Sequence, residues 1–218
     1  MTTTVVIPLF DGITALDAIG PYEVLHQVPD IDVVFAGKQL GPVRCDHGML
    51  GLLVDRPIAE IEHADVLLVP GGPGTRDCLA DNEFRAWVRD IHRMTQFTTS
   101  VCSGSLVLAA AGLLDGLPAT SHYSVLQLLG ELGAAPTTQR VVELLPHRVI
   151  TAAGVSSGID MALRLVELLR DADTARAAQL IIEHDPQPPV DAGSPEKAGP
   201  RILERAASMG AQRASQAS

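Results

Sequence analysis

Basic residues are scarce in this chain: 16 Lys and Arg stand against 26 Asp and Glu, a formal net charge of −10. They form no cluster outside the C-terminal tail, so the footprint of a nucleic-acid partner or of an anionic membrane surface is missing. Cysteine is sparser still. The three residues Cys45, Cys78 and Cys102 are widely and unevenly spaced, which matches neither a disulfide framework nor a zinc spacing and suits a reducing compartment. No apolar run approaches membrane-spanning length. Residues 1–9 lead straight into an apolar strand without the basic and long apolar regions of a secretory signal, so the expectation is a soluble, cytoplasmic protein. The Gly-Lys-Ser/Thr of a phosphate loop is absent, as is a second glycine pair at dinucleotide spacing, and no internal repeat is visible.

What is present is a chain of 218 residues, 46% of them hydrophobic, enough to bury a full core in one domain. Compact β-branched runs at residues 3–10, 31–36, 66–69 and 98–102 alternate with helical patterns at 13–28, 81–94, 104–112, 125–132, 161–169 and 174–183. Gly20-Pro21 interrupts the first helix, and Asp81 stands where a cap for the second belongs. Residues 43–45 and 52–54 read as a small hairpin outside the main sheet, and 141–144 with 148–152 as a hairpin returning to it. The alternation implies an α/β fold with a doubly wound, mostly parallel sheet sandwiched by helices. The domain is expected over residues 1–195, including a Pro-rich arm after Glu183. Residues 196–218 form a C-terminal extension, partly helical and frayed from Gly210 onward.

The stretch that carries chemistry is residues 98–112. A β-branched strand gives way at Cys102 to an Ala/Leu-rich helix ending at Gly112, and Ser100, Ser103, Gly104 and Ser105 are small. Ser100-Val101-Cys102-Ser103-Gly104 is the thiol form of a nucleophile elbow, in which a sharp strand-to-helix turn exposes the reactive atom. Amides at the start of the following helix favour thiolate over thiol. The competing reading is a buried cysteine that fills space, which is how Cys45 and Cys78 are read.

A cysteine nucleophile needs a proton partner and a stabiliser of developing charge. Asp17 lies among Leu16, Ala18 and Ile19, either on an amphipathic surface or as a semi-buried acid; near the sulfur its pKa would rise and it would donate a proton. His122 is an activator or a substrate contact, or else a hydrogen-bonded structural histidine. Asp160 reads as a helix cap rather than a catalyst. The turn after residues 66–69, with Gly71 and Gly72, exposes backbone N–H groups at the carboxyl end of a strand and suits an oxyanion, although at least one of its glycines serves a turn of positive φ. Ser103 adds a backbone N–H and a hydroxyl. Trp87, on the apolar face of its helix, reads as core.

Taken together, Leu16-Asp17-Ala18-Ile19-Gly20-Pro21-Tyr22-Glu23-Val24, Val69-Pro70-Gly71-Gly72-Pro73-Gly74, Ser100-Val101-Cys102-Ser103-Gly104-Ser105, Ala110-Ala111-Gly112-Leu113-Leu114-Asp115-Gly116, Ala119-Thr120-Ser121-His122 and Gly158-Ile159-Asp160 resemble the DJ-1/PfpI superfamily. Within it the chain is most similar to the isocyanide (isonitrile) hydratase branch, which the segment Pro188 to Pro195 also resembles. The resemblance implies a flavodoxin-like fold, a homodimer, and a cysteine enzyme without metal or organic cofactor that takes a small-molecule isocyanide. It makes Asp17 the acid beside Cys102, where many members carry glutamate. It also makes Ser103 a departure from the threonine usual in the hydratases and from the histidine of the peptidase-like and glyoxalase-like branches. The rival it brings is a non-catalytic ligand- or redox-sensing protein, as in the sensor domains of AraC-type regulators. Only about 20 residues follow Pro195, too few for a DNA-reading helical bundle.

Overall fold

The first β-branched run forms β1 (Thr3–Pro8), and its side chains are buried on both faces. Val5 and Ile7 point into one core and Val6 into the other, as a central strand of a two-sided sheet requires. The computed structural model describes residues 2–216, with side chains described through residue 213. Around β1, the strands β2 (Ile31–Gly37), β5 (Arg56–Pro57), β6 (Val66–Val69), β7 (Phe97–Ser100), β10 (Val141–Leu144) and β11 (Val149–Ala152) complete a sheet of order β10-β11-β7-β6-β1-β2-β5. Every pairing is parallel except that of β10 with β11. The expected outlying hairpin is present as β3 (Gly41–Arg44) and β4 (Gly51–Val54), paired only with each other. A second small pair, β8 (Pro118–Ala119) with β9 (Ala135–Pro136), has too few residues to show a period.

Helices cover both faces. Against one lie α1 (Ala15–Leu25), α6 (Ser157–Leu169) and α7 (Ala172–Ile181), contributing Val24, Leu25, Met161, Leu165 and Ala178 to a core with Leu68 and Ile150. Against the other lie α2 (Thr75–Ala80), α3 (Asn82–His92), α4 (Gly104–Ala110) and α5 (Leu126–Glu131), where Phe84, Val88, Ile91, Leu106 and Leu129 meet Leu67 and Val149. Each such Val, Leu, Ile, Met or Phe side chain contributes roughly 1.5–3 kcal/mol relative to leaving it exposed. Asp81 caps α3 as expected, accepting the N–H groups of Glu83 and Phe84. Pro21 lies inside α1, and Trp87 stacks on Phe84 at the margin of its core.

The topology puts the carboxyl ends of β6, β7 and β11 side by side, each followed by a turn into a helix. In a doubly wound sheet that edge is where ligands bind. Residues up to Glu183 form one compact unit and those from His184 onward a second. The second contains the Pro-rich segment and α8 (Pro195–Gln216), broken at Gly199 (φ 69°) ahead of Pro200. The helix runs through most of the stretch expected to fray, and residues 217 and 218 lie outside the described residues.

Candidate active site

Cys102 stands at the turn between β7 and α4 with φ 57°, a left-handed conformation that costs a non-glycine residue of order 1–3 kcal/mol. Four contacts hold it there. Its N–H donates to the Ala153 carbonyl at 2.8 Å and to that of Ala152 at 3.2 Å. Its own carbonyl accepts the Ser121 hydroxyl at 2.8 Å and that of Ser105 at 3.3 Å. Gly104 is required by contact: a Cβ there would stand 2.1 Å from the Val69 carbonyl oxygen. The small residues around the cysteine thus build the elbow, with Ser121 supplying a support from a separate segment.

Asp17, on α1, is fully buried. Its Oδ2 accepts the Gly71 N–H at 2.9 Å, whereas Oδ1 is buried without a partner of normal hydrogen-bond geometry, and its carboxyl faces the Cys102 thiol. Gly71 makes this approach feasible, since a Cβ would fall 2.5 Å from the Ser103 nitrogen and 3.0 Å from Asp17 Oδ2. The Gly72 N–H donates to Ser103 Oγ at 2.9 Å, and Thr75 Oγ1 lies 2.9 Å from the same oxygen. Both glycine amides are therefore engaged within the protein. The two amides expected at an oxyanion site hold the Asp17 carboxyl and the Ser103 hydroxyl.

Burial opposes the thiolate that the start of the following helix favours. Burial pushes Asp17 up to about 7, against the pull of the Gly71 N–H. Burial, followed by the negative charge of Asp17, pushes the Cys102 thiol up to about 12, while the N–H groups of Ser103 and Val155 at the sulfur pull it down only in part. α4 has seven residues, and its dipole does not outweigh the burial of a thiol 6% exposed beside a carboxylate. The two groups act as one titrating unit that keeps at least one proton between them through neutral pH. Asp46, tied to Thr14 at 3.0 Å, adds a further charge that raises Asp17.

The third turn, after β11, was not singled out for chemistry by the residue pattern. It brings Val155, at φ 36°, against the elbow with its N–H on the Cys102 sulfur. A valine in a run of small residues gives no signal of that backbone shape. His122 packs beside the same turn, because a Cβ on Gly154 would meet its ring at 2.6 Å. Its Nδ1 is 2.7 Å from Ser124 Oγ and accepts the Ser124 N–H at 3.3 Å, which leaves the ring proton of the neutral form on Nε2, and burial lowers its pKa. Asp160 does not cap α6. Ser156 occupies that position, and Asp160 pairs with Arg140. Among the described residues no group of three or more His, Cys, Asp or Glu is placed to hold a metal ion.

The DJ-1/PfpI family profile matches residues 3–168. An isonitrile hydratase of Pseudomonas putida is 40% identical over 198 residues, 91% of this chain and 86% of that one. The crystal structure of a ThiJ/PfpI family protein from Pseudomonas syringae superposes with a TM-score of 0.91 at 36% identity, covering 97% of this chain and 87% of that one. Drosophila melanogaster DJ-1beta shares the fold at a TM-score of 0.76 and 21% identity, over 84% of this chain and 98% of that one. With the parallel sheet, the strained cysteine turn and the facing acid already in place, these likenesses establish that the chain belongs to the DJ-1/PfpI family.

Proposed function

We propose that this protein hydrates isocyanides to N-substituted formamides through a covalent bond to Cys102. The observation that carries the reading is the buried Asp17 carboxyl facing the buried Cys102 thiol at the carboxyl edge of the sheet. The likeness to an isonitrile hydratase supports the substrate class.

The terminal carbon of an isocyanide is electrophilic towards sulfur and becomes basic once attacked. As the proton of the pair settles on Asp17, the Cys102 sulfur forms a bond to that carbon. Asp17 then delivers the proton to the carbon, giving a thioimidate, R–N=CH–S–Cys102. Water adds to the same carbon while the Asp17 carboxylate takes up one of its protons and the nitrogen gains one. Collapse of the adduct breaks the carbon–sulfur bond, releases R–NH–CHO and returns the proton to the pair. The Ser103 and Val155 N–H groups stabilise charge on sulfur as it leaves. Every proton comes from the pair or from water.

The test is formamide release from a panel of aliphatic and aromatic isocyanides. Wild type is expected to turn over at least part of the panel and Cys102→Ala none of it, with an unchanged far-UV spectrum. Turnover surviving in Cys102→Ala removes the proposal.

A further inference from the structure

Arg140, on the segment leading into β10, directs its side chain to Asp160 and Ser156 and touches the turn that carries Val155 at both ends. Its backbone carbonyl accepts the Ala153 N–H at 2.9 Å. Its side chain donates from Nε to Asp160 Oδ2, one turn into α6, and reaches Ser156 Oγ from Nη2 at 3.4 Å. Between these grips lie Ala153, whose carbonyl holds the Cys102 N–H, then Gly154 under the His122 ring, and Val155, whose N–H meets the sulfur. A β-branched residue at φ 36° is outside its own backbone preference, so the turn keeps this shape only because its surroundings impose it. The Arg140 and Asp160 side chains are 50% and 36% exposed, and an ion pair that open contributes little to folding.

We propose that Arg140 is a positioning residue for the nucleophile: through Asp160 and Ser156 it clamps residues 153–156 so that the Val155 N–H stays on the Cys102 sulfur. The inference rests on Cys102 being the nucleophile and is independent of which substrate it attacks. The charged group facing Cys102 is Asp17 from α1, with Asp46 acting on Asp17 in turn, and His122 faces the turn; none of these is altered by the test.

Iodoacetamide labelling of Cys102, followed across pH by mass spectrometry of its peptide, reads the sulfur without any isocyanide. Arg140→Ala and Arg140→Asp are expected to slow labelling about three- to tenfold at slightly alkaline pH, with the rising limb displaced upward, because one hydrogen bond to the thiolate is lost. The double reversal Arg140→Asp/Asp160→Arg restores the pair and should return the rate to within about twofold of wild type. Profiles in both single variants that coincide with wild type overturn the proposal, whatever happens to the thermal midpoint, and so does a double reversal that recovers nothing. Absence of formamide from the wild-type protein would remove the hydratase reading alone, since the labelling profile does not depend on it.

Discussion

Cys102 and Cys78 are alike by the measures most often used to judge a cysteine. Each is 6% exposed, and each thiol is pushed up to about 12 with burial as the leading cause. Their surroundings differ. Cys78 lies within α2, and the charges that raise it after burial, Asp81 and Asp77, are themselves exposed or ion-paired at the surface. Cys102 sits at a left-handed turn, takes backbone N–H groups from two directions and faces a carboxyl that burial has pushed up to about 7. A raised thiol is inert unless a neighbour can take its proton and return it. That neighbour, and not burial or pKa alone, distinguishes the two sulfurs.

Removing the neighbour should therefore bring Cys102 close to the condition of Cys78. Asp17→Asn cannot take the thiol proton or return it to carbon, and formamide production at saturating isocyanide is expected to fall about 10²- to 10⁴-fold, the usual span for a positioned acid–base group. A variant that keeps rates within about threefold of wild type would erase the distinction between the two cysteines.

The same substitution should change stability in the opposite direction at neutral pH. In the unfolded chain Asp17 titrates at 3.8, and in the folded protein at about 7. Between those values the folded state holds the extra proton, so Asp17's contribution is fully present below 3.8 and is lost as pH rises through about 7. The loss amounts to about 4 kcal/mol, at about 1.4 kcal/mol for each pH unit that separates the folded from the unfolded titration. The urea midpoint of Asp17→Asn relative to wild type should accordingly be higher at pH 8 than at pH 4.5. Taking the difference between the two pH values cancels any fixed cost of burying an asparagine amide beside the unpartnered Oδ1 position. An offset that does not vary with pH would mean that the acid is charged without penalty, and the pairing with Cys102 would lose its basis.

How much of this could be read from residue types follows from how local each feature is. The elbow was legible, because the strand, the cysteine and the small residues that permit the turn are contiguous. So was the alternation of strands and helices, and with it the parallel sheet. Asp17 showed only an acid among apolar neighbours; its meeting with Cys102 depends on α1 crossing the carboxyl end of a strand far along the chain. The balance between thiol and thiolate was hidden for the same reason, since a helix dipole is a local property while burial and a facing carboxylate are tertiary ones. Gly71 and Gly72 were visible as a turn, but which acceptor each amide would find was not. Val155 carries no signature of a positive φ, and Asp160 has the residue type of a cap while its partner Arg140 comes from the segment leading into β10.

The smallest expected effect comes from Cys78 itself. Cys78→Ala removes a sulfur that packs with Phe84 and Leu106 in one core and also lines a cavity of about 370 Å³, together with Leu9, Phe10, Lys38 and Gly74. None of Asp17, Cys102 or Ser103 borders that cavity, which opens from Cys78 toward the exposed residues Lys38, Gln39 and Leu40. Stability should fall by about 1 kcal/mol, close to the transfer value of one buried methylene-sized group, and isocyanide turnover should stay within about twofold of wild type. Because Gly74 belongs to the turn whose Gly71 and Gly72 amides hold Asp17 and Ser103, a tenfold loss of turnover in a well-folded Cys78→Ala would show that packing beneath α2 sets the geometry of the pair. The contrast between the two cysteines would then lie in mechanical coupling through that turn rather than in which of them has a proton partner.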